Sequence, residues 1–242
     1  MMGFKAALDF SGNEIAFAVV SGDGRKSYSS FTELPDRNSS KLPCILREQL
    51  AKAEVQLEEI QDWTIGIGPG SFTALRIGAA FLLGLLSRHI EPGLAQKLSN
   101  VCSPMATCEP FVSLRGVPSA CGIPTQGNNV LVLYDGRKSE LLSFGLRKEG
   151  DAYVPDGYQG VLSTREQLGK LQEKYDVFVT RSLDLEAVRA FSPEIAVEVS
   201  PHVDPEKLCL FPHGEWDCNP TEPLYLRPPV FVPPSAIRHF AE

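Results

Sequence analysis

Apolar residues fall first into short runs and later into helical spacing. Phe4 to Leu8 reads as a strand, Asp9 to Asn13 (DFSGN) as a tight turn, and Glu14 to Val20 as a returning strand. SGDG at 21–24 makes a further turn before a third strand, so the chain opens with an antiparallel meander. Pro43 then stands near the start of a helix, where its missing N–H costs nothing, and Leu46, Gln49, Leu50 and Ala53 line one face of that helix. Trp63 to Ile67 is a strand, and Gly68, Pro69 and Gly70 form a turn into a helix that starts at Ser71.

From residue 91 to 129 there is no strong period, and 117–129 (VPSACGIPTQGNN) reads as a linker or long loop. A second β signal begins at Val130 (VLVLYDGRKSELLSFGL). Helical TREQLGKLQEKY (164–175) precedes strand DVFVT (176–180), and helical DLEAVRAF (184–191) precedes strand EIAVEV (194–199). The tail from Pro201 carries nine prolines and reads mostly as loop. LDFSGNE sets Asp9 five residues before Glu14, and YDGRKSE sets Asp135 five residues before Glu140, each between two apolar strands. The echo predicts a duplicated unit of β-meander plus helix, with one half over 1–110 and the other over 111–242.

The helix after the Gly-Pro-Gly turn departs from the surface pattern. Arg76 is the only charge from Ser71 to Ser87, whereas an ordinary surface helix keeps a polar face. Such a helix is either buried centrally or covered by another protein. Its small residues Gly78, Ala79, Ala80 and Gly84 permit close approach and favour the second reading. The turn itself is a poor phosphate loop. G-x-x-x-x-G-K-[ST] and G-x-G-x-x-G are both absent, and no lysine lies between Ile60 and His89. Ser71 can cap the helix, and glycine supplies permissive backbone angles.

Composition narrows the function classes. The chain has 242 residues, 43% of them hydrophobic, and a net charge of −7, a poor footprint for binding nucleic acid alone. Six scattered cysteines without a CxxC pair read as reduced thiols rather than a zinc site. The N-terminus does not read as a signal peptide. The longest apolar run, Ile77 to Leu86, is well short of the ~20 residues that span a bilayer, so a soluble, cytoplasmic protein is expected, with no membrane association. The histidines at 89, 202, 213 and 239 form no HxxxH or HExxH, and there is no G-x-S-x-G elbow, which speaks against a peptidase. Asp9 and Asp135 are either hairpin turn residues or, in an ATPase, metal-facing carboxylates. Residue chemistry alone yields no catalytic constellation and no metal site.

The run GIGPGSFTALRIG (66–78) resembles the signature of the TsaB family, written GxGPGSFTGLRIG, with Ala74 in place of one glycine. Its matching residues include Gly68, Pro69, Gly70, Ser71, Phe72, Thr73 and Arg76. LDFSGNEIAFAVV resembles the family's first hairpin, YDGRKSELLSFGL its second (Asp135, Arg137, Glu140), and PLYLR (223–227) its C-terminal P-x-Y-L-R. The four stand in the family's order and nearly span the chain. The resemblance implies an α/β protein of the actin-like ATPase (ribonuclease H-like) fold, with two related β-sheet subdomains and helices. It implies a non-catalytic subunit that activates a TsaD-type transferase. With a TsaE-like protein, that enzyme installs threonylcarbamoyl on the adenosine beside the anticodon of tRNAs reading codons that begin with A. It further implies helix contacts with the partner, for which Leu46, Leu50, Leu75, Phe81, Leu82 and Leu85 are the candidates, and a homodimer through the same surface when the partner is absent. tRNA would be met only through the complex, and ATP or ADP only at the partner interface; no cofactor of the chain itself is expected. The competing reading is a stand-alone ATPase or small-molecule kinase of the same fold. RNSSKLP lacks a histidine usual in the family, Pro104 interrupts an expected helix, and 200–222 is proline-rich where the family often has one, so the second half is expected to be reduced or divergent.

Overall fold

The computed structural model describes residues 3–33, 39–87 and 112–226. Two five-stranded mixed sheets organise them. The first contains β1 (Phe4–Asp9), β2 (Glu14–Ser21), β3 (Ser27–Glu33), β4 (Ile60–Gly66) and β5 (Ser113–Val117), in the order β3-β2-β1-β4-β5. The second contains β6 (Asn129–Asp135), β7 (Leu141–Glu149), β8 (Ala152–Leu162), β9 (Val177–Arg181) and β10 (Glu198–Ser200), in the order β8-β7-β6-β9-β10.

The two orders are the same. In each, a central first strand pairs antiparallel with its hairpin partner on one side and parallel with a later strand on the other. Asp9 and Asp135 end the two central strands. The hairpin echo is therefore a true structural duplication, and the fold is α/β of the actin-like kind.

Burial explains the strand patterns. The edge strand β3 (SYSSFTE) alternates exposed and half-buried positions along its whole length. The central strand β1 is covered on both faces, so it reads as a continuous apolar run. Ala6 and Leu8 face a core shared with α1 (Leu42–Ala53) and α2 (Phe72–Leu86). Ala7, on the opposite face, joins a second core with Val130, Val132 and Tyr134 of the other sheet. Gln49 seats α1 on β3: its amide oxygen accepts from the Tyr28 hydroxyl at 2.6 Å and its amide nitrogen donates to Thr32 Oγ1 at 3.2 Å.

Three elements depart from expectation. β5 lies in the first sheet, so that sheet runs past the boundary expected at residue 110, into a stretch read as irregular. Its buried Arg115 hides the strand pattern. The charge is accommodated because its guanidinium donates to the carbonyls of Phe211 and Pro212 and pairs with Asp217 at 2.7 Å. β8 was also unforeseen. Pro155, Gly157 (φ +88°) and a register shift opposite Phe144 to Leu146 break its pattern, and an edge strand tolerates all three.

The proline-rich tail is mostly loop among the described residues, as expected, but it contains one unexpected helix and is packed into the core. After α3 (Arg165–Leu171) and α4 (Leu185–Phe191), a short α5 (Pro205–Cys209) buries Leu208 and Cys209 between β1, β2 and the turn at Ser119–Gly122. Cys218 then exchanges two backbone hydrogen bonds of 2.8 Å with Gly116. The second half of the sequence thus returns to complete the first sheet. Pro104 lies outside the described residues.

Candidate docking face and the turn that seats it

β4 delivers the chain into Gly68–Gly70, and the glycines answer to close packing. A Cβ on Gly66 would stand 1.8 Å from the Asp9 carboxylate, and one on Gly70 would stand 2.4 Å from the Ser11 carbonyl. Gly68 sits at φ +103°, a region L side chains rarely adopt, and the Gly68–Pro69 peptide is cis. Ser71 is the N-cap of α2, its hydroxyl accepting from the Ala74 N–H at 3.5 Å. The turn is filled by the protein's own atoms. The Gly68 N–H donates to Ser119 Oγ at 2.9 Å, and the Ser119 hydroxyl donates to Asp9 Oδ2.

Asp9 is 2% exposed. Its other oxygen accepts from the Ser11 N–H at 2.9 Å and the Ser11 hydroxyl at 2.6 Å. From the second half, Arg181 Nη1 donates to the Ser11 carbonyl at 2.9 Å, while its Nε pairs with Asp184 at 2.7 Å. Asp184 also accepts from the Asp135 N–H at 3.1 Å. The Asp9 carboxylate is a buried clamp joining β1, the Gly68 turn and Ser119. Three hydrogen bonds give this carboxylate a structural role, and it also lines the cleft between the two halves. Asp135 is half-exposed, and one of its oxygens accepts from the Arg137 N–H at 2.7 Å, closing its own hairpin. Among the described residues, no three His, Cys, Asp or Glu side chains are grouped to hold a metal ion. A cleft of about 140 Å³ lies between the halves, lined by Asn13, Glu14, Arg181, Leu183 and His202 among others. His202 bonds Glu14 and stacks on Phe31 across it.

α2 is two-faced despite its uniform composition. Leu75, Gly78, Ala79, Leu82 and Leu86 are buried, whereas Phe72, Arg76, Ala80 and Gly84 are exposed at steps of four residues. This corrects the expected contacts. Leu82 is 0% exposed, and Leu46, Leu50 and Leu75 are buried in the protein itself, so these four hold the helices to their own sheet. Phe81 and Leu85 are half-buried and pack against the same core. The small residues divide as well. Gly78 abuts the Phe10 ring, where a Cβ would approach to 2.2 Å, while Ala80 and Gly84 face outward. At the head of the helix the Phe72 ring, 44% exposed, meets the equally exposed Tyr225 with centroids 4.9 Å apart. The Arg76 guanidinium carbon lies 3.9 Å above the Phe72 ring.

The model of the TsaD family, tRNA N6-adenosine threonylcarbamoyltransferase, matches residues 34–103. Over that stretch the chain is similar to the TsaD family. Among solved structures, it is similar to an uncharacterized Pseudomonas aeruginosa protein described as having similarity to peptidase YeaZ. That likeness has a TM-score of 0.65 and 20% identity, over 93% of this chain and 100% of the other. It is also similar to YeaZ from Pseudomonas aeruginosa, with a TM-score of 0.59 and 19% identity over 86% and 89% of the two chains. At these identities the likeness speaks for the fold. No curated protein matches the chain.

In the folded chain the separate motifs converge. The first-hairpin Asp9, the Gly68–Gly70 turn and the Leu224–Tyr225 segment meet at the head of α2, where the Leu224 N–H donates to the Ile67 carbonyl at 2.8 Å. Asp135 joins them only indirectly, through Asp184, Arg181 and Ser11. Sequence reasoning missed Ser11, Ser119, Arg181 and Asp184. Their roles come from contacts over long sequence separations, for which one sequence carries no local signal. No helix among the described residues is long and apolar enough to cross a membrane.

Proposed function

We propose that this chain is a TsaB-type accessory subunit. It binds a TsaD-type transferase and activates it in forming threonylcarbamoyladenosine beside the anticodon of tRNAs that read codons beginning with A. The observation that carries this reading is the outer face of α2. Phe72, Ala80 and Gly84 form an exposed stripe without a carboxylate, with Arg76 as its one charge. Small residues there let a second helix approach closely, as in helix bundles between related subunits. The same face supports a homodimer when the transferase is absent. The bonds from Ser11 and Ser119 to Asp9 fit an accessory role in which this carboxylate holds the turn that seats α2. In this reading the chemistry resides in the TsaD-type partner, a TsaE-like protein joins the assembly, and ATP or ADP enters at the partner interface. With its charge of −7, this chain meets tRNA through the complex.

The test is co-elution with the TsaD-type protein of the same organism, sized by light scattering. A stable heterodimer lost on Ala80→Glu supports the reading. Absence of a complex, with nucleotide and the TsaE-like protein present, overturns it.

A further inference from the structure

The head of α2 carries more information than an apolar stripe. The Arg76 guanidinium carbon lies over the Phe72 ring, and Tyr225 flanks that ring from a different part of the chain. A guanidinium stacked in this way keeps its N–H donors free at its edge. Among the described residues it makes no hydrogen bond or salt bridge. No other charge stands on the helix between Phe72 and Leu86. An exposed arginine with neither a salt bridge nor a hydrogen bond among the described residues, placed over an aromatic ring, has lost part of its side-chain freedom before any partner arrives. That lowers the ordering cost of binding.

We propose that the Phe72–Arg76–Tyr225 corner receives a carboxylate side chain of the partner subunit, and so fixes the register in which the partner's helix lies along Ala80 and Gly84. This rests on the docking reading above and names the chemistry of that face. The planar fork of arginine matches a carboxylate bidentately. The Phe72 ring under the guanidinium excludes water from one side of the pair and strengthens it relative to an open surface pair, and Tyr225 packs on that ring. A partner helix with an Asp or Glu at one end of its contact stripe and small or apolar residues along the rest is complementary to this face. An RNA phosphate is the poorer occupant, because a single cation beside an uncharged small-residue stripe on an acidic protein is no nucleic-acid footprint.

The experiment measures the dissociation constant for the TsaD-type partner at low and high salt, using the full chain and its Arg76→Gln, Arg76→Lys and Ala80→Glu variants. Thermal melting of each variant alone checks that it is folded. Arg76→Gln should weaken binding by about tenfold and flatten its salt dependence. Arg76→Lys should recover only part of the loss, since a point charge cannot replace the fork. Binding of Arg76→Gln within about twofold of the wild type, while Ala80→Glu abolishes it, overturns the carboxylate receiver and leaves the docking face standing. Normal binding of Ala80→Glu, or none by the wild type, overturns the docking face itself. Arg76→Gln that assembles normally yet weakens tRNA binding by the assembled complex makes the acceptor a phosphate, and overturns the proposal.

Discussion

The rings of Phe72 and Tyr225 meet at 4.9 Å on the surface, joining the first residue of α2 to the far end of the described chain. Each is 44% exposed, so the pair contributes little to the core and presents a ready-made aromatic surface. Tyr225→Ala should therefore change stability by less than about 1 kcal/mol. It should nevertheless weaken partner binding, because it removes the ring that packs on Phe72, which in turn carries Arg76. Melting curves and a binding isotherm on the same variant separate the two effects.

The two sides of α2 should respond oppositely to substitution. Leu82→Ala deletes a fully buried side chain and should cost about 2–5 kcal/mol. Ala80→Glu, on the open face, should leave the urea midpoint of the lone chain nearly unchanged. Equal destabilisation by both would mean that α2 is covered on all sides within this protein.

Asp9→Ala strands the donors of Ser11 and Ser119 in a buried site. The loss should be on the order of 3 kcal/mol, since hydrogen bonds to a charged acceptor are the stronger ones. It should also loosen the turn that seats α2, seen as faster amide exchange at Gly68. An Asp9→Ala protein with unchanged stability would return Asp9 to the role of a ligand-facing carboxylate.

Asp156 supplies a pH signature. Burial raises its pKa, but hydrogen bonds from the Lys174 ammonium, the Tyr158 N–H and the Tyr175 hydroxyl outweigh that and hold it below the ordinary 3.8. A depressed folded-state pKa stabilises above the unfolded value, and that contribution is lost as pH falls through the folded value. Asp156→Asn should thus be less stable than wild type at neutral pH, with the gap narrowing as pH is taken below 3.8. Urea midpoints across that range measure the gap, and a constant gap would contradict the assignment.

The described thiols should react unequally. Burial pushes the Cys209 thiol up to about 12 and the Cys121 thiol higher still, and it also raises half-buried Cys218. Cys44 is exposed on α1. In a protein with Cys102 and Cys108 replaced by serine, one fast thiol is expected at neutral pH, with Cys121 and Cys209 unreactive until unfolding. Rapid native labelling of Cys209 would mean that α5 opens readily from the two sheets.

Some of this was readable from local pattern. The meander, the helix with Leu46, Gln49, Leu50 and Ala53 on its inner face, and the second hairpin are encoded by period and turn chemistry over a few residues. β5 and β8 were hidden because Arg115, Pro155 and Gly157 break the pattern. Their places are decided by distant contacts, and Arg115 is a strand residue only because residues 211–217 complete its hydrogen bonds.

The sequence by itself determined that α2 is a nearly uncharged helix after a glycine-rich turn, and that the chain carries two similar hairpins. It could not say which side of that helix is free. A helix apolar all round has no polar face to mark the solvent side, so Leu75, Phe81, Leu82 and Leu85 are candidates for a partner contact on sequence alone. Tertiary packing broke that symmetry. Phe10 presses on Gly78, the sheet core takes Leu75, Leu82 and Leu86, and the remaining stripe from Phe72 to Gly84 is left facing outward beside Tyr225.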